Sequence, residues 1–327
     1  MEAVTSDFNQ REVKDGGGNV VRVTTRAKGS SDCLDELIAA KSKAHLTSPA
    51  SSAFIKRGNA QWRAQTGRDL IPSTENLLLS PIVIAMWQPM AEAIGWGRQP
   101  VGWGKIHGLL TDHQGWARHG VPAWGKFLFG HTNPRSSSSG LSSLFAEVYA
   151  AAGKPAGLTT EDLQRAEVAH FLGDIEVWVL HSGNSTGMLA EKMFAYGPSY
   201  VHAAVLYESM VVGSYARKQP TTFPIVAVYA KEGTFWSDHP VGIVDAEWVT
   251  AEHRAAARTY LDFLLEREQQ EKALVFGFRP AHADVPLVAP LDAAHGVNAK
   301  EPQTTLEVPS VEVMDAMINL WEKVKKR

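Results

Sequence analysis

Apolar and polar positions fall into a repeating order of short apolar run, polar loop, and apolar residues at helical spacing. Phe127-Leu128-Phe129 leads into a polar loop, and then Leu141, Leu144, Phe145 and Val148 recur every three or four positions until Gly153. This spacing predicts strand, loop and helix, with Gly153 as a C-terminal cap. The loop holds Asn133, Pro134, the run Ser136 to Ser139, and Gly140. The order recurs along the chain. Asn19 to Arg26 alternates with β-branched residues and reads as a strand; Gly29-Ser30-Ser31-Asp32 follows, then a helix marked by Leu34, Leu37 and Ile38. HLTSPASS (45–52) precedes another helix-like segment, and Gly183-Asn184-Ser185-Thr186-Gly187 precedes one carrying Met188, Leu189, Met193 and Phe194. Leu77 to Trp87 is a continuous apolar run with Pro81 inside, which predicts a buried strand crossing between domains. Phe223 to Tyr229 predicts a second crossing strand, and Tyr200 to Val212 a strand or a strand–helix junction. Ala251 to Glu271 predicts one long amphipathic helix and Val311 to Lys325 a final one, with a proline-rich stretch from 280 to 309 between them.

Strand–helix alternation of this kind implies α/β layers with mostly parallel sheets, whose ligands bind where strand ends meet helix N-termini. The serine loops all fall there. Helix N-termini present N–H groups without intrahelical partners and carry partial positive charge, and serine hydroxyls add donors. A convergent cleft for an anion or another oxygen-rich ligand is the expectation. Capping alone is the simpler use of any one of these serines.

Composition narrows the picture. A chain of 327 residues is long enough for about two domains. The net charge of -3 predicts no nucleic-acid partner. Cys33 is the single cysteine, so no internal disulfide forms. No apolar run reaches the ~20 residues that span a bilayer, and the opening MEAVTSDFNQREVKDGGG has no signal pattern, so composition alone predicts a cytosolic protein. His107, His113 and His119 lie on different faces of any helix, so no metal site is predicted from them. No Walker or G-x-G-x-x-G pattern occurs, and no cofactor is predicted. Trp87, Trp96, Trp103, Trp116 and Trp124 are expected to be core rather than a ligand platform.

Five segments resemble one family in its own order. SPASSAFI (48–55) looks like its ligand loop. LLLSPIVIAMWQPMAEAIGW (77–96) looks like the first crossover strand and the helix after it. GHTNPRSSSSGL (130–141) looks like the main oxyanion loop. VYAKEGTFWSDHPVGIV (228–244) looks like the return crossover, and PQTTLEVPS (302–310) like the C-terminal signature. The resemblance is to the type II solute-binding proteins of bacterial ABC-type uptake systems, in the molybdate/sulfate-like branch and the group associated with von Willebrand factor A domains. It implies an α/β, two-lobed fold with two mostly parallel sheets joined by two crossover strands. Lobe 1 would comprise 1–80 and 225–327, and lobe 2 would comprise 81–224. It also implies a non-enzymatic receptor, a monomer, that closes its lobes on a small oxyanion or polar solute and signals to a membrane permease or a von Willebrand A protein. By position the ligand would meet Ser30, Ser31, Ser48, Ser51 and Ser52 in lobe 1, and Asn133, Ser136, Ser137, Ser138, Ser139, Ser185 and Thr186 in lobe 2. Tyr207 and Glu208 would stand near the wall. The family is extracytoplasmic and begins with a signal peptide and a first strand; the present sequence is expected to lack both.

Gly183 to Gly187 also fits G-x-S-x-G, the nucleophile elbow of α/β-hydrolases. That alternative makes Ser185 the nucleophile of an esterase. It needs a later acid and histidine, with Asp238 and His239, Asp262 and His282, or Asp284 and His295 as the candidates.

Overall fold

The computed structural model describes residues 1–181 and 183–326. In chain order the regular elements are α1 (Glu2–Gln10), α2 (Ser30–Ile38), β1 (Leu46–Thr47), α3 (Ser52–Thr66), β2 (Glu75–Asn76), β3 (Leu78–Trp87), α4 (Gln88–Ala93), α5 (Trp103–Thr111), β4 (Phe129–Gly130), α6 (Ser138–Ala152), α7 (Ala166–Glu176), β5 (Val179–His181), α8 (Thr186–Tyr196), β6 (Ala203–Tyr207), α9 (Glu208–Tyr215), β7 (Ile225–Val228), β8 (Trp236–Ser237), β9 (Pro240–Ile243), α10 (Ala251–Leu265), α11 (Arg267–Val275), β10 (Arg279–Pro280) and α12 (Val311–Lys325). They form two units, one of residues 1–79 with 237–288 and the other of 80–236 with 289–327.

In the first unit β9 lies between β1 and β2, antiparallel to both. Its core gathers Phe8, Val21, Leu77, Val241, Tyr260, Leu261, Phe263 and Leu264. The Phe8 ring of α1 meets Tyr260 edge-on at 4.9 Å between centroids, and Thr5 shares a 2.7 Å hydrogen bond with the Tyr260 hydroxyl. The predicted strand at 19–26 is extended chain with one bridge, Lys14 to Val20. The Asn9 side-chain amide takes the place of a neighbouring strand: it donates to the Val23 carbonyl at 2.8 Å and accepts from the Val23 N–H at 2.9 Å. The single helix expected over 251–271 breaks at Glu266, whose backbone is extended (φ -57°, ψ 142°). Gln270 is buried there, and its amide donates at 3.1 Å to the carbonyls of both Leu264 and Leu77. The break satisfies an orphan helix-end carbonyl from within.

In the second unit β6 runs antiparallel to β3 and parallel to β4, which pairs in parallel with β5, while β7 pairs antiparallel with β3. The α/β class is as expected, but the sheets are mixed rather than mostly parallel. The antiparallel neighbours are far apart along the chain, and the parallel strand pairs among the described residues are β4 with β5 and β4 with β6. Pro81 falls between the residues of β3 that pair β10 (78 and 79) and those that pair β6 (82 to 86), so neither of these two ladders calls on its missing N–H. The predicted second crossing strand, β7, lies wholly inside the second unit. The chain returns to the first unit at Ser237 instead, and leaves it again at Ala289. Helix α12 packs on α6 and α7 in the second unit, where the expected boundaries had put 225–327 with residues 1–80. The reason is its apolar stripe of Val313, Met314, Met317, Ile318 and Trp321, all buried. Trp87, Trp103 and Trp116 are core residues as expected; Trp96 and Trp124 are half-buried.

His202 is fixed as a neutral ring by geometry. Its Nδ1 accepts two hydrogen bonds at 3.0 Å, from the Trp116 indole N–H and the Leu128 backbone N–H. Burial pushes its pKa down to about 4. In the unfolded chain the ring titrates near 6.5. Between those values the unfolded state binds the extra proton, so this contribution is complete above about pH 6.5 and is lost as pH falls to about 4. His239, half-buried in the first unit, has the same sign, lowered to about 4 by desolvation. We expect thermal stability to fall by up to about 1.4 kcal/mol per pH unit per such ring across that window. His202→Asn keeps an acceptor in place and does not titrate, so its melting temperature should fall less steeply with acid. An unchanged slope would refute the assignment.

Candidate functional site

The loop from His131 to Ser137 leaves β4 and doubles back onto the first turn of α6. Its backbone turns on Asn133, whose side chain accepts from the Arg135 N–H at 2.9 Å and whose carbonyl accepts from the N–H groups of Ser136 (3.2 Å) and Ser137 (3.0 Å). Gly140 makes the return possible. A Cβ at that position would lie 2.1 Å from the Thr132 carbonyl oxygen and 2.8 Å from the Asn133 carbonyl carbon.

Inside the bend four buried hydroxyls close a ring. Thr132 bonds Ser137 (2.8 Å) and Ser139 (2.7 Å), and Thr186 bonds the same two serines at 3.2 and 2.8 Å. Donation from Thr132 to Ser137 to Thr186 to Ser139 and back to Thr132 uses each proton once and gives each oxygen one donor. A closed sequence of this kind polarises every member. The ring ties the 131–139 loop to the start of α8, and the Asn133 N–H to Gly183 carbonyl (2.9 Å) and Ser136 hydroxyl to Asn184 (3.1 Å) bonds tie it again.

The structure therefore brings Asn133, Ser136, Ser137, Ser138, Ser139 and Thr186 into one neighbourhood, with Asn133 and Ser136 half-buried and the others buried. Ser185 joins them along the chain, where its hydroxyl accepts from the Met188 N–H at 3.3 Å and caps α8. In the first unit Ser30 accepts from the Ala50 N–H at 3.2 Å, Ser51 caps α3, and the Ser52 N–H donates to Asp238 at 2.9 Å. Ser30, Ser51 and Ser52 thus gather around one loop, with Ser31 half-buried in the first turn of α2 and Ser48 exposed. Two surface cavities, of about 530 and 390 Å³, lie away from these loops. One sits between α1 and residues 22–25, and the other is lined by residues 93–95, Arg98, Gln99, Lys105 and His119.

Residues 1–279 match the model of a family described as bacterial extracellular solute-binding proteins. The chain belongs to that family. Similar solved structures include a periplasmic thiamin-binding protein (14% identity, 99% of this chain and 91% of that one, TM-score 0.65). A ferric binding protein from Campylobacter jejuni is 12% identical over 99% and 94%, with TM-score 0.63. A sulfate-binding protein from Mycobacterium tuberculosis is 18% identical over 87% and 83%, with TM-score 0.54. These likenesses show the two-lobed type II periplasmic-binding fold. No curated protein matches the chain. No helix among the described residues is long and apolar enough to cross a membrane.

In this solute-binding protein the esterase alternative finds no support. The Ser185 hydroxyl serves the Met188 N–H, and His295 is instead bound to Asp292 at 2.8 Å. His239 bonds the Ser237 hydroxyl at 3.2 Å, and that hydroxyl donates to the Ala50 carbonyl. Glu208, placed near the site by resemblance, is buried in the first turn of α9 and accepts from the Tyr229 hydroxyl.

Sequence reasoning did not single out a buried cluster beside the ring, formed by His131, Glu147 and Glu176. His131 Nε2 lies 3.0 Å from Glu176 Oε1, and its Nδ1 lies 2.8 Å from the Thr132 carbonyl. Burial disfavours charge on the imidazole, but the Glu176 carboxylate outweighs it and holds the His131 pKa at about 9. Burial, and then the Glu176 charge, push Glu147 up to about 8. One signal was available: Glu147 is the single charged residue of α6, on a helix of otherwise apolar, small and hydroxyl side chains.

Two substitutions test the loop. Gly140→Ala should destabilise by at least about 4 kcal/mol, since backbone must move to admit the methyl group. Thr132→Val leaves Ser137 and Ser139 short of a partner in a dry site and should cost about 1–3 kcal/mol. Chemical denaturation measures both; near-neutral effects would contradict the ring.

Proposed function

We propose that this protein is an extracytoplasmic receptor for a small oxyanion or similarly oxygen-rich polar solute. The observation that carries this reading is the start of α6. Where an α-helix has a serine or threonine at its N-cap, in α3, α8, α10 and α12, that hydroxyl caps it, whereas Ser137 at the N-cap of α6 makes no such bond, its hydroxyl being held in the ring. The partial positive charge of α6 is thus directed at the loop of Asn133 and Ser136 rather than answered by a cap. Neutral, pre-organised donors suit a desolvated anion that must be fully hydrogen-bonded. Ser138 in the first turn of α6 and the Ser30, Ser31, Ser48, Ser51 and Ser52 loops of the first unit are the further contacts we assign to the solute. Ser137, Ser139, Ser185 and Thr186 act on it by holding the loop in shape. The likeness to a sulfate-binding protein supports this ligand class, as do the segments resembling the molybdate/sulfate-like branch. Solute-binding proteins of ABC transporters interact with membrane permeases. We extend this to a permease or a von Willebrand A protein as the partner of a monomeric receptor, with no cofactor and no catalysis.

Thermal unfolding with sulfate, molybdate, tungstate, phosphate and thiamin tests the reading. A solute at a hundred times its dissociation constant stabilises by ~2.7 kcal/mol. We expect an oxyanion to give this rise, and Ser136→Ala with Ser31→Ala to reduce it. A rise with thiamin alone would overturn the oxyanion assignment.

A further inference from the structure

We propose that His131, Glu147 and Glu176 form a buried binding site for one divalent metal ion of the zinc class. The donor atoms of these three residues lie within 4.8 Å of one another, and all three side chains are wholly buried. Glu147 Oε1 accepts from the Ser143 hydroxyl at 2.8 Å and Glu176 Oε1 faces His131, but Glu147 Oε2 and Glu176 Oε2 have no hydrogen-bond partner among the described residues. Two carboxylate oxygens without partners at full burial are costly unless a cation or proton answers them.

The chemistry of the set selects the ion. The Thr132 carbonyl can only accept, so His131 Nδ1 keeps its hydrogen, and the ion on binding displaces the Nε2 proton and the Glu147 proton, leaving Nε2 and two carboxylates as the ligands. A backbone carbonyl orienting the second ring nitrogen is the outer-shell support metal-bound histidines have. One imidazole with two carboxylates fits zinc, and three protein ligands leave one position for a further oxygen. Calcium needs six to eight oxygens, more than the cluster offers. Charge also balances, because two carboxylates neutralise a dication and leave no net charge in the core. Donors of a tetrahedral ion with bonds of about 2.0–2.1 Å stand about 3.3 Å apart. The His131–Glu176 separation of 3.0 Å already meets this. Glu147 would close the remaining gap of up to about 1.5 Å by rotating its side chain. The ion would tie the end of β4 to α6 and α7, one residue before the hydroxyl ring, and being sealed from solvent it would load as the unit folds.

The test is to refold the full chain with zinc chloride, dialyse, and measure bound metal by mass spectrometry beside thermal unfolding. The expected result is about one equivalent of zinc and a melting temperature that climbs with each tenfold rise in free zinc. Glu147→Gln, which keeps the shape, should retain less than a tenth of that metal. Zinc retained equally by Glu147→Gln but lost in His253→Ala would belong to the stacked His45–His253 pair in the first unit, and would overturn the proposal. No retained zinc after refolding would also overturn it. Should Glu147→Gln fail to fold, cobalt(II) in the unaltered chain gives the answer. Intense visible bands of four-coordinate nitrogen and oxygen ligation support the site, and their absence refutes it.

Discussion

The second unit depends on how closely one backbone can lie on another. The Thr132 carbonyl rests against the Gly140 α-carbon, at a distance no side chain permits. That approach folds a loop of hydroxyl groups back under the first turn of α6, out of water. Once there, each polar group must find a partner, because desolvation is not repaid by packing alone. The ring of Thr132, Ser137, Ser139 and Thr186 answers that requirement, and its demand on Ser137 is what removes the cap from α6. A steric fact about one glycine thereby sets the electrostatics of a helix end.

The same loop serves two buried networks from adjacent residues. Thr132 turns its hydroxyl to the ring while its carbonyl receives the imidazole of His131, whose far side meets Glu176. The hydroxyl ring and the charged interior of the helix layer therefore meet at one residue. A change in how His131 is held would be felt at the loop without any intervening side chain.

Much of this was legible from the chain, and the gaps have identifiable causes. The helix from Ser138 to Ala152 was readable because apolar spacing, the serine run and the left-handed Gly153 agree. The strand expected at 19–26 was not formed because Asn9, ten or more residues away, supplies the pairing that a neighbouring strand would have given. The break at Glu266 was invisible because it rests on Gln270 reaching Leu77, a contact across nearly two hundred positions. Spacing could not tell which of the loop hydroxyls bond one another. His131, Glu147 and Glu176 come from three elements, and no short motif joins them; only the isolated charge on α6 hinted at their meeting.

Helix α12 carries a consequence for the order of events in the cell. It supplies Met314, Met317, Ile318 and Trp321 to the layer that covers α6 and α7, yet it is synthesised long after both. The first unit draws on no residue beyond Val288, whereas the second also needs α12. Until α12 is made, the apolar surfaces of α6 and α7 stand uncovered during translation.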